Sequence, residues 1–327
     1  MILPFHRDDI FLREAIRSVL SNKGVSVRLL LVDDRINPEF IPDLDAKIML
    51  RTGGLGYAGA INSAKKLITS DYVALMNSDD WCAPDRFLRQ INALSLSGCD
   101  LAICGMKKFK DKRLVTSMLG EIVGEEYDSR LLILGAYGAN ATWLSTKKTW
   151  MRFVHFEDSS ISDWLSGLTF FSKINVVLVN QTLYWYRQHS LQITNELSQK
   201  TRGFHEIIDQ ASGIAVKLKI FDENFESNFR ITAAPYSLSK NPDRGSLKNA
   251  WEYLKKIENA NLPGASIILK RRKLYVSLRL LKLGYFNGET LLAMMNGGVE
   301  LIFRFLIDRV GRVPKDLGQR TSLLVSR

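Results

Sequence analysis

Two short apolar runs that end in paired acids constrain this chain more than any other feature. Leu29-Leu30-Leu31-Val32 runs into Asp33-Asp34, and Tyr72-Val73-Ala74-Leu75-Met76 runs into Asn77-Ser78-Asp79-Asp80. A continuous apolar run of four or five residues reads as a strand buried on both faces, and such strands belong to sheets covered by helices on each side. The intervening segments fit. Phe11, Ala15, Ile16, Val19 and Leu20 recur at helical spacing, and helical patterns follow at Ala58 to Ile68 and Pro84 to Leu96. Further strands are expected at Ile2 to Pro4, Val27 to Val32, Ile48 to Leu50, Leu101 to Cys104 and Val176 to Val179. Strands alternating with helices predict a largely parallel α/β sheet.

In an open parallel sheet, ligands bind beyond the carboxyl ends of the strands. Pro4 to Arg7, Asp33-Asp34 and Asn77 to Asp80 all fall at such ends, so three clusters far apart in sequence are expected to share one crevice. Asp79 and Asp80 offer hard oxygen ligands suited to Mg²⁺ or Mn²⁺. The same pair would also serve as a capping turn ahead of the Pro84 helix, and Asp33-Asp34 as the start of a solvated loop.

The 327 residues suffice for one large α/β domain plus an appendage, expected here at 1–200 and 201–327. Beyond residue 200 the pattern turns helical and basic, with breaks at 241–245 and 262–264. The formal charge of +11 is concentrated late: twelve Lys or Arg stand against four acids from Gly264 onward. Lys270 to Lys273 continue into Leu274, Val276, Leu278, Leu280 and Leu281, an amphipathic pattern that suits an anionic membrane surface better than nucleic acid. Three cysteines without a CxxC pair read as reduced thiols. Asn296, Glu300, Arg304 and Asp308 interrupt the most apolar stretch, which falls short of the roughly 20 residues a membrane helix needs. A cytoplasmic protein, peripheral on the inner membrane face, is the expectation.

Several ordered motifs resemble family 2 glycosyltransferases, which have a GT-A type fold. They are Leu3-Pro4-Phe5-His6-Arg7 with the helix behind it, Leu29 to Asp34, Gly56 to Ala64, Ser70 to Trp81, Ile161 to Leu168, and Tyr184-Trp185-Tyr186-Arg187-Gln188-His189. The resemblance covers roughly residues 1 to 190. It implies an inverting transfer from a nucleoside-diphosphate sugar, with uridine the default base, to a glycan or lipid-linked acceptor. Carried over by position, Pro4, Phe5 and His6 would line the base and ribose, Asp34 would accept from the base, and Asp79 would contact the ribose. Asn62 belongs to the donor-binding helix, Arg187 and His189 would close over the diphosphate, and Asp80 would hold the metal. Asp163 would be the general base, taking the acceptor's proton. The same Asp163 would serve as an N-cap for the apolar helix behind it, and Glu157 and Asp158 are rival bases.

Four positions depart from the family pattern: Arg7 where Asn is usual, Gly56 where Arg or Lys often stands, Asn77 for an Asp, and Ser162 for an acid. The family usually has more residues ahead of Pro4, so the first strand is expected to be short or its start truncated. Two other nucleotide-binding classes fail on glycine placement. Pro4 to Asp9 has no glycine for the phosphate loop of a nucleotidyltransferase, and Gly53-Gly54-Leu55-Gly56 lacks the spacing of a dinucleotide fingerprint.

Overall fold

The computed structural model describes residues 1–36, 48–110, 113–118, 128–134, 139–153, 162–170, 173–190, 204–233, 242–262 and 265–285, with Gly288 and Leu292. Strands β1 (Ile2–Phe5), β2 (Leu30–Asp33) and β3 (Ile48–Arg51) pair in parallel in the order β1-β2-β3. β2 takes its bounds from β1, which it matches residue for residue from Ile2↔Leu30 to Phe5↔Asp33. It therefore starts later than the apolar pattern from Val27 suggests. On the other side of β1, Met76 N donates to Ile2 O, and Ile2 bridges Leu75 just past β4 (Tyr72–Ala74).

From β4 onward the sheet is mixed rather than largely parallel. β8 (Trp143–Thr146) runs antiparallel to both β4 and β6 (Leu101–Lys110), and β9 (Val176–Arg187) is parallel to β6. β5 (Trp81–Cys82) and β7 (Arg113–Met118) join antiparallel to β9 and β6. β5, β7 and β8 escape the apolar-run reading. They are short or polar, and pairing rather than hydrophobic pattern defines them.

Helices cover both faces. On one, α1 (Ile10–Leu20) and α3 (Arg86–Ser97) bury Leu12, Ala15, Ile16, Val19, Phe87 and Leu94 against the sheet. The Asp9 carboxylate caps α1, accepting from Phe11 N at 2.9 Å and Leu12 N at 3.1 Å. On the other lies α2 (Gly56–Ala64), which passes into a 3₁₀ turn at Lys65–Leu67 instead of continuing to Ile68. α4 (Lys147–Arg152), α5 (Ser162–Phe170), α6 (Phe204–Lys217), α7 (Phe225–Thr232), α8 (Arg244–Asn259) and α9 (Ala265–Lys282) complete that layer. Their apolar residues, Ile207, Phe229, Leu254 and Leu280 among them, share one buried cluster with Ile2, Val32 and Leu75 of the sheet. Cys82, Cys99 and Cys104 are unpaired. No helix among the described residues is long and apolar enough to cross a membrane.

The β1–α1–β2 unit moves outward in one direction from β1, whereas α2 returns the chain from β3 to β4 on the opposite side. The carboxyl ends of β1 and β4 therefore flank a topological switch point, where two loops diverge and leave a crevice.

Candidate active site

The acids after β2 have separate tasks. Asp33 is buried and held by Arg35, whose Nε and Nη2 reach its two carboxylate oxygens at 2.8 Å each. Burial pushes this carboxyl up, but Arg35's guanidinium and backbone N–H outweigh it and hold the group below its ordinary value. Asp34 is instead caged by the 52–56 loop. Its Oδ1 accepts from Thr52 Oγ1 at 2.6 Å, Gly54 N at 3.0 Å and Leu55 N at 2.7 Å, and its Oδ2 from Gly56 N at 2.8 Å. Gly53, Gly54 and Gly56 have φ of 70°, 94° and 74°, the left-handed region that lets a short loop turn its N–H groups onto one anion. Four donors use the accepting capacity of one carboxylate, three of them sharing Oδ1. Asp34, expected to face a base, thus anchors the start of α2.

At the end of β4 the two neighbouring acids point in opposite directions. Asp80, the expected metal ligand, is fully buried. Its Oδ2 accepts from Tyr184 Oη at 2.5 Å and Asn77 Nδ2 at 3.0 Å, and its Oδ1 from Arg187 N at 2.7 Å. These three donors hold both of its oxygens inside the protein. Burial and the neighbouring Asp79 charge push the Asp80 carboxyl well up, against the pull of the three donors, and the Tyr184 phenol rises with it. Asp79 faces outward. Its Oδ2 lies 3.0 Å from His189 Nε2, with 27% of the Asp79 side chain and 17% of the His189 side chain exposed.

Arg187 ties the end of β9 to α1 and to the loop after β4. Its Nη2 pairs with Glu14 of α1, its Nε donates to Asp79 O at 2.8 Å, and its guanidinium lies between the rings of Phe11 (4.4 Å) and Phe109 (4.9 Å). Phe11 also packs against His189 at 5.0 Å. Helix α1 thus braces the end of β9. Glu14 carries no sequence signal for this, since an acid on the polar side of an amphipathic helix reads as solvated.

Pro4 and Phe5 are buried inside β1, with Arg35 over the Phe5 ring at 5.4 Å. His6 is exposed at the strand's end. Partial desolvation and Arg7 hold its imidazole below the ordinary value, while Asp79, Asp9 and Asp34 pull it back. β1 runs parallel to β2 and, through the bridge at Leu75, to the segment after β4, so these strand ends lie at one edge of the sheet. Asn62 is half-buried on α2. Asp163 lies in the first turn of α5, while Trp164 turns into the core and stacks on Phe229. Glu157 and Asp158 lie outside the described residues.

A second polar cluster adjoins these acids. Tyr57 Oη, in the first turn of α2, lies 2.9 Å from Asn77 Oδ1 and 3.1 Å from Asn140 Oδ1. Asn140 opens the 3₁₀ turn Asn140–Thr142 ahead of β8. That turn is fixed from α3: buried Arg86 donates to Ala141 O at 2.6 Å, and Gln90 donates to Thr142 O at 2.8 Å. Tyr57 and Asn140 were not among the candidates, because nothing in local pattern marks a tyrosine and an asparagine 83 residues apart as neighbours.

Among the described residues, three late basic side chains contact the protein itself, while Lys270 is exposed. Lys273 pairs with Glu258 and lies over Trp251, Arg272 donates to Ala233 O, and Arg279 lies over Tyr275.

With this geometry in hand, comparison with known proteins becomes informative. The family model described as "Glycosyl transferase family 2" matches residues 1–158. The succinoglycan biosynthesis protein ExoO of Rhizobium meliloti (strain 1021) is 28% identical over 109 residues, which cover 32% of this chain and 31% of that protein. An uncharacterized glycosyltransferase of Haemophilus influenzae is 25% identical over 130 residues, covering 36% of this chain and 52% of that one. The chain therefore spans about a third and about half the length of these two relatives. Among solved structures, S. aureus TarS 1-349 in complex with UDP-GlcNAc superposes with a TM-score of 0.52 at 14% identity, over 86% of this chain and 87% of that one. The likeness is one of fold, the GT-A type with a helical C-terminal region.

Proposed function

We propose, on the premise that residues 1–158 belong to glycosyl transferase family 2, that the chain transfers a sugar with inversion from a nucleoside diphosphate to a glycan or lipid-linked acceptor. The observation that carries this reading is the Asp79–His189 contact of 3.0 Å at the switch-point crevice, backed by the buried Asp80. One exposed carboxylate oxygen and one imidazole nitrogen fit Mg²⁺ or Mn²⁺ in a site that leaves positions for diphosphate oxygens. A divalent ion there would offset the charge gathering on the departing diphosphate. Asp80 we assign to holding β9, and through it His189, against the loop.

Asp163 supplies the base in this reading. Its carboxylate takes the proton from the acceptor hydroxyl, whose oxygen bonds to the anomeric carbon as the diphosphate oxygen leaves from the opposite side. The first turn of a helix favours the ionised carboxylate that this step needs. Uridine is the favoured base: the fold is shared with a protein solved with UDP-GlcNAc. A glycan acceptor accords with a relative named for succinoglycan biosynthesis. Exposed Leu281 and Leu283 at the end of basic α9 support attachment to an anionic membrane surface, where a lipid-linked acceptor would lie. Salt-sensitive cosedimentation with anionic vesicles, absent with neutral ones, is the expected behaviour.

Thermal unfolding with UDP, GDP or dTDP, each with Mn²⁺ or with chelator, tests the donor site. Metal-dependent stabilisation by one diphosphate, strongest for UDP, is expected. Absence of such stabilisation with all three would reject the reading. Asp163→Asn should leave that stabilisation intact and cut turnover by roughly 10²- to 10⁴-fold, with Glu157→Gln and Asp158→Asn much milder. Near-normal turnover in Asp163→Asn would move the base elsewhere.

A further inference from the structure

We infer that Tyr57, Asn77 and Asn140 form a subsite that reads one neutral hydroxyl or N-acylamino group of the transferred sugar. The inference rests on the nucleotide-sugar reading above and extends it to residues outside the metal and base sites. Placement is the first argument. Tyr57 follows the loop that cages Asp34, Asn77 stands two residues before Asp79, and β8 pairs antiparallel with β4 through Ala74↔Leu144. The segments just past Ala74 and just before Leu144 therefore lie at the same edge of the sheet, beside the crevice.

Hydrogen-bond accounting is the second. Asp80 Oδ2 takes the Asn77 NH₂ at 3.0 Å, which turns Asn77 Oδ1 toward Tyr57, where it accepts the phenol's proton at 2.9 Å. A phenol has one proton to donate. Asn140 Oδ1, 3.1 Å from the same phenol oxygen, is then left facing lone pairs. Asn140 is 4% exposed, and its Nδ2 has no partner among the described residues. Turning the amide by 180° lets the NH₂ donate to Tyr57, and places the Asn140 carbonyl oxygen where Nδ2 stood. Either orientation leaves one buried polar atom of Asn140 unmatched. A buried polar group is ordinarily matched, and a ligand at this edge of the crevice would match it.

Chemistry narrows the ligand. The three side chains carry no charge, so the group they receive is a neutral donor and acceptor. A sugar hydroxyl or an N-acylamino group fits, whereas a hexuronate carboxylate would meet an amide oxygen or a phenol without a compensating charge. Rigidity adds to the case. Asn77 is held by Asp80, and the Asn140 turn by Arg86 and Gln90 through Ala141 O and Thr142 O. A preorganised polar site discriminates because a ligand lacking the matching group leaves buried atoms unpaired.

The test compares UDP alone with five UDP-sugars on the full chain with Mn²⁺, those of glucose, galactose, N-acetylglucosamine, N-acetylgalactosamine and glucuronic acid. Tyr57→Phe and Asn140→Ser, each checked for an unchanged far-ultraviolet spectrum, should weaken the preferred neutral UDP-sugar by about 10-fold while leaving UDP within about twofold. Deoxygenating the recognised sugar position should cost the wild type a similar factor and cost Tyr57→Phe nothing further. Equal weakening of UDP and UDP-sugar, or no weakening in either variant, would overturn the inference. So would tightest binding of the glucuronic acid donor. Failure of the wild type to bind any nucleoside diphosphate would instead remove the functional reading beneath it.

Discussion

Asp79 and Asp80 are the same residue type on adjacent positions, yet one carboxylate faces the crevice and the other faces the protein. The difference comes from β9, which brings Tyr184 Oη and Arg187 N to Asp80 and His189 to Asp79. Their asparagine variants should therefore fail in different ways. Asp79→Asn should abolish metal-dependent nucleotide stabilisation while leaving the melting temperature of the ligand-free protein nearly unchanged. Asp80→Asn places an NH₂ against the donors Tyr184, Asn77 or Arg187, and should cost about 1–3 kcal/mol of stability. Thermal melts with and without UDP and Mn²⁺ separate the two, and a stable, metal-blind Asp80→Asn would restore Asp80 as the ligand. Asp33 gives a pH signature. Because its folded carboxyl is held below 3.8, the stability it contributes is present above that value and is lost as pH falls through the folded value. Melting temperatures of Asp33→Asn should fall less steeply than wild type on acidification below about pH 4. The strand-end positions of all four acids were readable from the apolar runs before them. Which carboxylate turned inward was not, because for Asp79 and Asp80 that depends on partners about a hundred residues away.

Strand β9 is the element on which the site hangs, and its path is set by an irregularity opposite β6. The pairing passes from Cys104↔Val179 to Gly105↔Thr182 and on to Met106↔Tyr184, so β9 carries extra residues where β6 has none. Gly105 permits this, since a Cβ there would lie 2.7 Å from Gln181 O. The bulged strand then reaches β5 through Trp81↔Trp185, where the two indoles stack at 4.4 Å. Gly105→Ala must push β9 away, at a cost of about 1–3 kcal/mol, and it should also weaken metal-dependent UDP binding although residue 105 touches no proposed ligand. Normal binding in a folded Gly105→Ala protein would show that the bulge does not position His189. An apolar run at Val176 to Val179 announced the first third of this strand. The half-polar remainder, Asn180 to Arg187, has no clean alternation, because its residues answer to β6, β5 and α1 in turn.

The helices after residue 200 are part of the body of the protein. Leu269, Val276 and Leu280 of α9 lie in the same buried cluster as Trp164 of α5 and Val73 of β4. Burying such side chains contributes about 1.5–3 kcal/mol each, against a net stability of about 5–15 kcal/mol for a typical domain. Truncation before Gly264 should therefore yield insoluble or unfolded protein, judged by soluble yield and circular dichroism. A soluble, UDP-binding truncation would show instead that α9 is an appendage. Composition and periodicity were enough to place an α/β sheet, its early helices, the acidic strand ends and a basic helical finish, because each is a local consequence of side-chain spacing. They did not establish the mixed strand order beyond β4, the inward turn of Asp80, the cage around Asp34, the Glu14–Arg187 brace or the Tyr57–Asn77–Asn140 cluster. Those depend on which distant segments meet. Long-range pairing is chosen by the free energy of burying one whole core and satisfying its polar groups together, so no window of neighbouring residues contains it.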